Sequence, residues 1–228
     1  MDRRLALPAV ACAALVIGLA AGAPWLKFVF AIALAKGLAV TGILLLLRAG
    51  QVSFGHALYI AVGAYTVAFT RPHVGEMLLL LPLAAAAGTI VGLAVGLFVA
   101  RYRDIFFGML NLAFSMVFYS LLEKLYEYTK GTDGIRVERP TIAWIALDRV
   151  DYEWTMLIGG VALALALGWL VSRFLLSPLG QALPAIKTRE TRLEFAGISA
   201  KRVLLVAYVI SATLAGLGGG IIACTTMH

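Results

Sequence analysis

Seven apolar stretches, each about as long as a helix needs to cross a bilayer, follow one another along the chain. A helix rises about 1.5 Å per residue, so about 20 apolar residues span the hydrocarbon core of a membrane. A soluble domain of this size cannot hide seven such stretches, because about a quarter to a third of its surface stays wet. The predicted spans are residues 5–23, 28–47, 52–70, 77–100, 105–122, 154–176 and 203–223.

The fold class that follows is an all-α, polytopic transmembrane helical bundle. Apolar residues make up 62% of the chain and charged residues only 14%, against roughly 45–50% and 25% in soluble domains. Residues 1–228 are therefore expected to form one transmembrane domain, with an external loop at 123–153 and a cytoplasmic loop at 177–202.

The distribution of Lys and Arg predicts the orientation, because cytoplasmic loops carry more of both. With the N-terminus in the cytoplasm, eleven basic residues fall inside and seven outside. Topology therefore explains the net charge of +7 without a nucleic-acid partner. An alternative interpretation of residues 1–23 is a cleaved secretory signal, since Arg3 and Arg4 precede an apolar run that ends in small residues.

The fourth span carries a packing signal. Lipid tails are as apolar as leucine, so membrane helices associate by close packing at small residues. Gly88, Gly92 and Gly96 recur every four residues along one face of this span. We expect this face to pack tightly against another helix.

Lys36 lies near the middle of the second span, where an unpaired charge costs about 2.5 kcal/mol or more on insertion scales. None of the predicted spans contains an Asp or Glu that could pair with it. Two interpretations stay open: Lys36 lines a solute path, or it is satisfied by snorkelling or by backbone carbonyls.

Residues 48–57, Arg-Ala-Gly-Gln-Val-Ser-Phe-Gly-His-Ala, form the most distinctive segment. Gln51, Ser53 and His56 supply polar atoms where a span begins, between glycines that permit close backbone approach. This pattern is typical of a broken helix that lines a cavity. These three residues, with Lys36, are the candidates for the substrate path, although His56 alone is more typical of a hydrogen-bonded packing histidine.

The sequence contains none of the usual signatures of an enzyme. It has no Gly-x-x-x-x-Gly-Lys-Ser/Thr phosphate loop and no visible trio of nucleophile, base and orienting group. Its two cysteines and three histidines are scattered, so no metal site is expected. We predict a non-catalytic protein without cofactors.

The 48–57 segment, with Gly63-Ala64-Tyr65 after it, resembles the permeases of the branched-chain amino acid ABC importer family. Two further segments agree in order and spacing. Residues 130–135, Lys-Gly-Thr-Asp-Gly-Ile, resemble an external stretch of the family's M-type permease. Residues 177–198, from Ser-Pro-Leu-Gly-Gln-Ala-Leu to Glu-Phe-Ala-Gly-Ile, resemble its cytoplasmic loop.

The cytoplasmic loop predicts a short amphipathic helix from Pro184 to Gly197. Proline suits a first helical turn, and Gly197 is placed to end the helix in the left-handed conformation. Ile186 and Leu193, seven residues apart, share an apolar face that requires a partner. The membrane surface is one candidate, whereas the resemblance implies a coupling helix that docks on an ATP-binding subunit through Ile186, Glu190, Leu193, Glu194 and Gly197.

The resemblance further implies a permease subunit in a bacterial inner membrane that imports branched-chain or related hydrophobic amino acids. Its expected partners are a second homologous permease, two ATP-binding subunits and an external solute-binding protein. Urea, amides or aromatic acids are alternative solutes, and an ATP-independent channel or carrier is an alternative class. Family members continue beyond the position where this sequence stops, so we expect a chain shortened at its C-terminus.

Overall fold

The structure is a bundle of long apolar helices, described here from a computed structural model of residues 3–131, 134–135, 137, 140–142 and 148–226. The fold class is all-α, as predicted. The helices in chain order are α1 (Arg3–Gly22), α2 (Pro24–Arg48), α3 (His56–Thr70), α4 (Met77–Val99), α5 (Asp104–Lys124), α6 (Tyr126–Thr129), α7 (Arg149–Leu176), α8 (Pro178–Phe195) and α9 (Ala200–Thr225).

Helix α9 forms the centre of the bundle. The buried share of the most apolar 18-residue stretch of α9 is 61%, compared with between 17% and 39% for the same stretch of the other long apolar helices. It packs against α2, α3 and α4 at once. The remaining long helices expose most of their surface on the outside of the bundle.

Glycines allow α9 to approach its neighbours at backbone distance. Gly218 faces the carbonyl oxygen of Ala35 on α2, and Gly219 faces that of Ile60 on α3. Gly63 on α3 faces the carbonyl oxygen of Gly216. A β-carbon at any of these glycines would collide with backbone, which cannot rotate away.

The glycine stripe of α4 faces α9. A β-carbon on Gly88 would lie 3.0 Å from the carbonyl oxygen of Ala212. One on Gly92 would overlap the Ala212 side chain, and one on Gly96 would lie 2.8 Å from the ring of Tyr208. The three glycines are buried in the α4–α9 contact, where the sequence pattern predicted a close helix contact.

The predicted spans differ from the helices in length. Among the described residues, five helices are long and apolar enough to cross a membrane, and two apolar helices are shorter, Ala11–Gly22 and His56–Thr70. Helix α3, with 15 residues, reaches about 22 Å, less than the roughly 30 Å of hydrocarbon. Its predicted first residues, 52–55, form an irregular connection before the helix instead, while α7 begins at Arg149 rather than at 154.

Large apolar side chains cover the outside of the bundle. Ile90, Ile105, Phe106, Met109 and Val117 are all more than 60% exposed on the outer faces of α4 and α5. Soluble monomers rarely expose apolar patches of such extent. Lipid is the solvent that fits this surface, so the chain is an integral membrane protein.

Contacts between the ends of helices show which helix ends lie at the same end of the bundle. At one end, the Tyr152 hydroxyl donates to the carbonyl oxygen of Cys224 at 2.8 Å, and Lys27 lies 4.6 Å from the ring centre of Trp154. Helix α8 lies at the opposite end, beside the C-terminus of α2. This division agrees with the alternation predicted for the spans. Of the predicted external segment 130–135, residues 132 and 133 lie outside the described residues.

Gly63→Ala is expected to destabilise the bundle, because the added methyl group meets the Gly216 carbonyl oxygen. Overpacking of this kind costs about 1–3 kcal/mol. The matched control is Gly159→Ala on α7, where a β-carbon meets nothing within 4 Å. That change is expected to be neutral or stabilising, because alanine favours helix by about 1 kcal/mol over glycine. Thermal unfolding of the purified chain in detergent measures both; equal midpoints would contradict the packing argument.

Candidate functional site

Helix α8 is a polar helix between α7 and α9, and its start differs from the predicted one. The Ser177 hydroxyl accepts a hydrogen bond from the Gly180 amide at 3.3 Å, which caps the helix. Pro178 follows as the first helical residue, where its missing N–H is harmless. The prediction of a start at Pro184 was therefore wrong: Pro184 lies inside the helix, on its exposed side.

The end of α8 has the predicted conformation. Gly197 has a φ of +78°, and its amide donates to the Glu194 carbonyl oxygen at 2.9 Å. The Ile198 amide donates to the carbonyl oxygen of Leu193, also at 2.9 Å. These two bonds form a Schellman motif, which satisfies the last helix carbonyls and reverses the chain toward α9.

The apolar face of α8 packs against this chain itself. Ile186 and Leu193 are only 6% and 7% exposed, within the same core cluster as Leu183, Leu204 and Tyr208. From the sequence, this face was expected to lie on the membrane surface or on a partner subunit; in the structure the chain's own core covers it. The spacing of the apolar residues revealed an apolar face but did not reveal what covers it. The face is covered by the end of the helical bundle, which is its cytoplasmic end in the predicted orientation.

The opposite face of α8 is open and carries one large apolar side chain. Phe195, in the last turn, is 89% exposed, the highest value among the large apolar side chains in the described part of the chain. Its neighbours on this face are polar: Lys187, Thr188, Thr191 and Glu194 are exposed. A partner that binds α8 therefore meets Phe195 and Glu194 rather than Ile186 and Leu193.

An ion pair joins α8 to the turn between α4 and α5. Arg103 Nη2 lies 2.7 Å from Glu190 Oε1, and Arg103 Nε donates to Glu190 Oε2 at 3.1 Å. Two parallel bonds of this type fix orientation as well as distance. The same guanidinium donates to the carbonyl oxygen of Ala100 at 2.7 Å, so Glu190 is linked to the end of α4.

The connection between α2 and α3 contains Gln51 and contacts α5 and α8. Helix α2 ends in a second Schellman motif, in which Gly50 has a φ of +76° and the Gln51 amide donates to the Leu46 carbonyl oxygen at 3.0 Å. Gln51 Oε1 then accepts from the Asp104 amide at 2.8 Å, at the start of α5. A β-carbon on Gly50 would lie 2.8 Å from Lys187 Cγ. The connection is thus packed directly against α8.

A set of buried polar groups links this connection to α9. His56 Nδ1 lies 3.1 Å from Ser53 Oγ, and His56 Nε2 lies 2.6 Å from Ser211 Oγ. One turn further along α3, the Tyr59 hydroxyl lies 2.6 Å from that of Tyr208. Tyr208 also donates to Asn111 Oδ1 on α5. Buried polar groups of this kind specify one arrangement of helices, because an unpaired member is costly.

The structure separates the predicted path residues into two groups. Gln51, Ser53 and His56 lie together and are 2–5% exposed, with hydrogen-bond partners inside the chain. Lys36 is exposed on the outer surface of α2, about 20 Å along the helix axis from Gly50. Gln51, Ser53 and His56 therefore form hydrogen bonds inside the chain, and of the four predicted path residues only Lys36 faces outward.

Sequence reasoning missed Arg103, Ser211 and Tyr208. Each acts through a partner at least 87 positions away in the chain, so no local pattern marks it. Tyr59, three residues after His56, was detectable as a second polar side chain on the same face of a span.

Comparison with known proteins agrees with this architecture. A family described as "branched-chain amino acid transport system / permease component" matches residues 25–228. The chain belongs to this permease family. Two relatives are the high-affinity branched-chain amino acid transport system permease proteins LivM of Escherichia coli K12, 27% identical over 197 residues, and of Salmonella typhimurium LT2, 28% identical over 197.

The two LivM alignments cover 76% of this chain and 46% of each relative. The chain thus spans about half the length of the curated relatives it matches. No solved structure matches it significantly. Membership of the family establishes the chain as a permease component.

Ser211→Ala is expected to destabilise the bundle, because it leaves His56 Nε2 buried without its partner. An unsatisfied buried polar group costs about 1–3 kcal/mol. The control is Ser172→Ala on α7, where an exposed hydroxyl donates only to a carbonyl of its own helix, and a change within about 0.5 kcal/mol is expected. Chemical denaturation in detergent compares the two, and an unchanged Ser211→Ala midpoint would contradict the role given to this contact.

Proposed function

We propose that this chain is the membrane-spanning subunit of an ATP-driven importer for branched-chain or related hydrophobic amino acids. Membership of the permease family and the two LivM relatives support the solute class. The observation that carries the ATP-driven part is the outer face of α8. A polar helix outside the spans, attached to the core on one side and presenting an exposed phenylalanine on the other, is suited to receive force from a soluble subunit.

In this mechanism ATP is hydrolysed by two partner subunits, and their closure displaces α8. Three contacts carry the movement into the bundle: the Arg103–Glu190 ion pair, the packing of Lys187 on Gly50, and the short link from α8 to α9. Because α9 touches α2, α3 and α4, its displacement changes several helix contacts at once. The chain itself contributes no catalytic group and no cofactor.

The surroundings of the chain follow from the same proposal. Helix α8 lies in the cytoplasm and the N-terminus on the same side, in agreement with the excess of basic residues there. The membrane is the bacterial inner membrane, and residues 1–228 act as one permease domain. A second, homologous permease completes the pathway, and an external solute-binding protein delivers the solute to the opposite end.

Phe195→Asp is expected to weaken association with the ATP-binding subunits by about tenfold or more, since aromatic anchors at interfaces contribute about 2 kcal/mol or more. Membrane insertion should remain normal, because the side chain makes little contact with its own chain. The measurement is co-purification of the subunits from membranes. Tyr128→Asp is the matched control, an aromatic 71% exposed near the opposite end of the bundle, and it should co-purify normally. Full retention of the partners by Phe195→Asp would count against docking at α8.

The Arg103–Glu190 ion pair is expected to transmit movement rather than to hold the partner. Arg103→Glu should leave the ATP-binding subunits bound but lower the solute imported per ATP hydrolysed, because two carboxylates then repel each other across the contact. Glu190→Arg alone should act in the same direction. The double variant with the two charges exchanged should recover most of the coupling, measured in proteoliposomes. Unchanged coupling in all three variants would rule out this route of transmission.

A further inference from the structure

Lys36 lies at the centre of a membrane span and points away from its own bundle. It is preceded by eleven residues and followed by twelve within the apolar span Trp25–Arg48. Each end of the span is therefore about 17 Å away along the axis, more than the four-carbon stem of a lysine can reach by snorkelling. The ammonium group stays at the depth of the hydrocarbon.

The face of α2 that carries Lys36 is largely exposed. Trp25, Val29, Val40 and Leu47 are 67%, 45%, 52% and 48% exposed, and their spacing from Lys36 places all five on one side of the helix. We call these five residues the outer stripe of α2. Beside it, a β-carbon on Gly37 would meet nothing within 4 Å, so there is open space next to the lysine.

The described residues do not supply the charge that would balance Lys36. The sequence has no Asp or Glu between residues 3 and 75, and those that begin α5 and α7 lie at helix ends. Within the described residues, Lys36 takes part in no ion pair or hydrogen bond. A lysine that faces lipid at mid-depth without a partner costs about 2.5–3.5 kcal/mol on insertion scales, and charged residues within spans almost always face the bundle interior or a water-filled cavity instead. The outer stripe therefore faces water or protein.

We propose that the outer stripe of α2 forms one wall of the water-filled solute path, and that Lys36 binds the carboxylate group of the transported solute at the middle of the membrane. The inference rests on the proposed function and deepens it, because it states which chemical group of the solute is recognised. An amino acid carries the carboxylate that this position lacks, and it is mobile, as a transported partner must be. A permanent carboxylate from another subunit would hold the lysine in place instead.

The first test measures whether the outer stripe of α2 is accessible to water and whether it attracts negatively charged reagents. Val40→Cys, one turn from Lys36, is made in a chain whose own cysteines are replaced (Cys12→Ala and Cys224→Ala), in the assembled transporter. It is then treated with thiosulfonate reagents that carry a negative or a positive charge. We expect reaction with both and a preference for the anionic reagent, which falls by about tenfold or more when Lys36→Gln removes the local charge. The control is Ile90→Cys, 68% exposed near the middle of α4, which should face lipid and stay unreactive.

The second test measures what the lysine binds. Leucine should slow the modification of Val40→Cys, whereas leucinamide, which lacks the carboxylate, should not. Protection by leucine should disappear in the variant that also carries Lys36→Gln. In proteoliposomes, Lys36→Gln should lower leucine uptake by about tenfold or more while Lys36→Arg, which keeps the charge, retains part of it.

Three outcomes would overturn the proposal. An unreactive Val40→Cys would mean that the stripe is covered by lipid or protein. Loss of the second permease from complexes carrying Lys36→Gln would identify a fixed ion pair between subunits. Equal protection by leucine and leucinamide would exclude recognition of the carboxylate. Absence of ATP-dependent uptake in the unmodified complex would instead refute the proposed function, and the reagent preference at Val40→Cys would still test the path.

Discussion

Backbone contact between α9 and its three neighbours is the constraint on which the rest of the structure depends. In a bilayer, burial of apolar surface gives helices little reason to associate, so close packing must provide the attraction. Helix α9 achieves it with glycines that face carbonyl oxygens of α2 and α3, and the stripe on α4 adds a third side. No larger residue fits at these points. A central helix held this closely cannot shift without changing its contacts with all three neighbours.

The α2–α3 connection places irregular backbone beside this tightly packed centre, and its polar groups need partners there. Schellman bonds satisfy the end of α2, Gln51 satisfies the first amide of α5, and His56 bonds to both Ser53 and Ser211. Gly42 leaves the space that Ser211 occupies, since a β-carbon there would lie 2.7 Å from the Ser211 hydroxyl oxygen. Three of the predicted path residues, Gln51, Ser53 and His56, thus have hydrogen-bond partners inside the chain. Their polar groups stabilise the break between two helices.

Sequence reasoning succeeded at several positions where a single local cause decides the outcome. The spacing of Gly88, Gly92 and Gly96 and the glycine at position 197 each act within a few residues, and the structure agrees with both. The length of the third span and the start of α8 at Pro184 were predicted wrongly. Sequence reasoning also failed where contacts between segments far apart in the sequence decide what covers a surface. The apolar face of α8 was evident from Ile186 and Leu193, but covering it with the core or with a partner depends on how α7 and α9 place the helix. Contacts between Arg103 and Glu190, or between His56 and Ser211, depend on the same long-range arrangement.

Two exposed side chains differ in polarity from the helices that carry them, and the two proposals assign a neighbour to each. Phe195 is apolar on a polar helix outside the spans, while Lys36 is charged on an apolar helix within them. Neither is compensated by a described neighbour, in contrast to Lys27, which lies over the ring of Trp154. Phe195 gains from an apolar surface in the aqueous phase, and Lys36 from a polar one at the membrane centre. The two requirements are opposite in kind and lie at different depths: under the proposed function a soluble subunit covers Phe195, and under the proposed path water reaches Lys36.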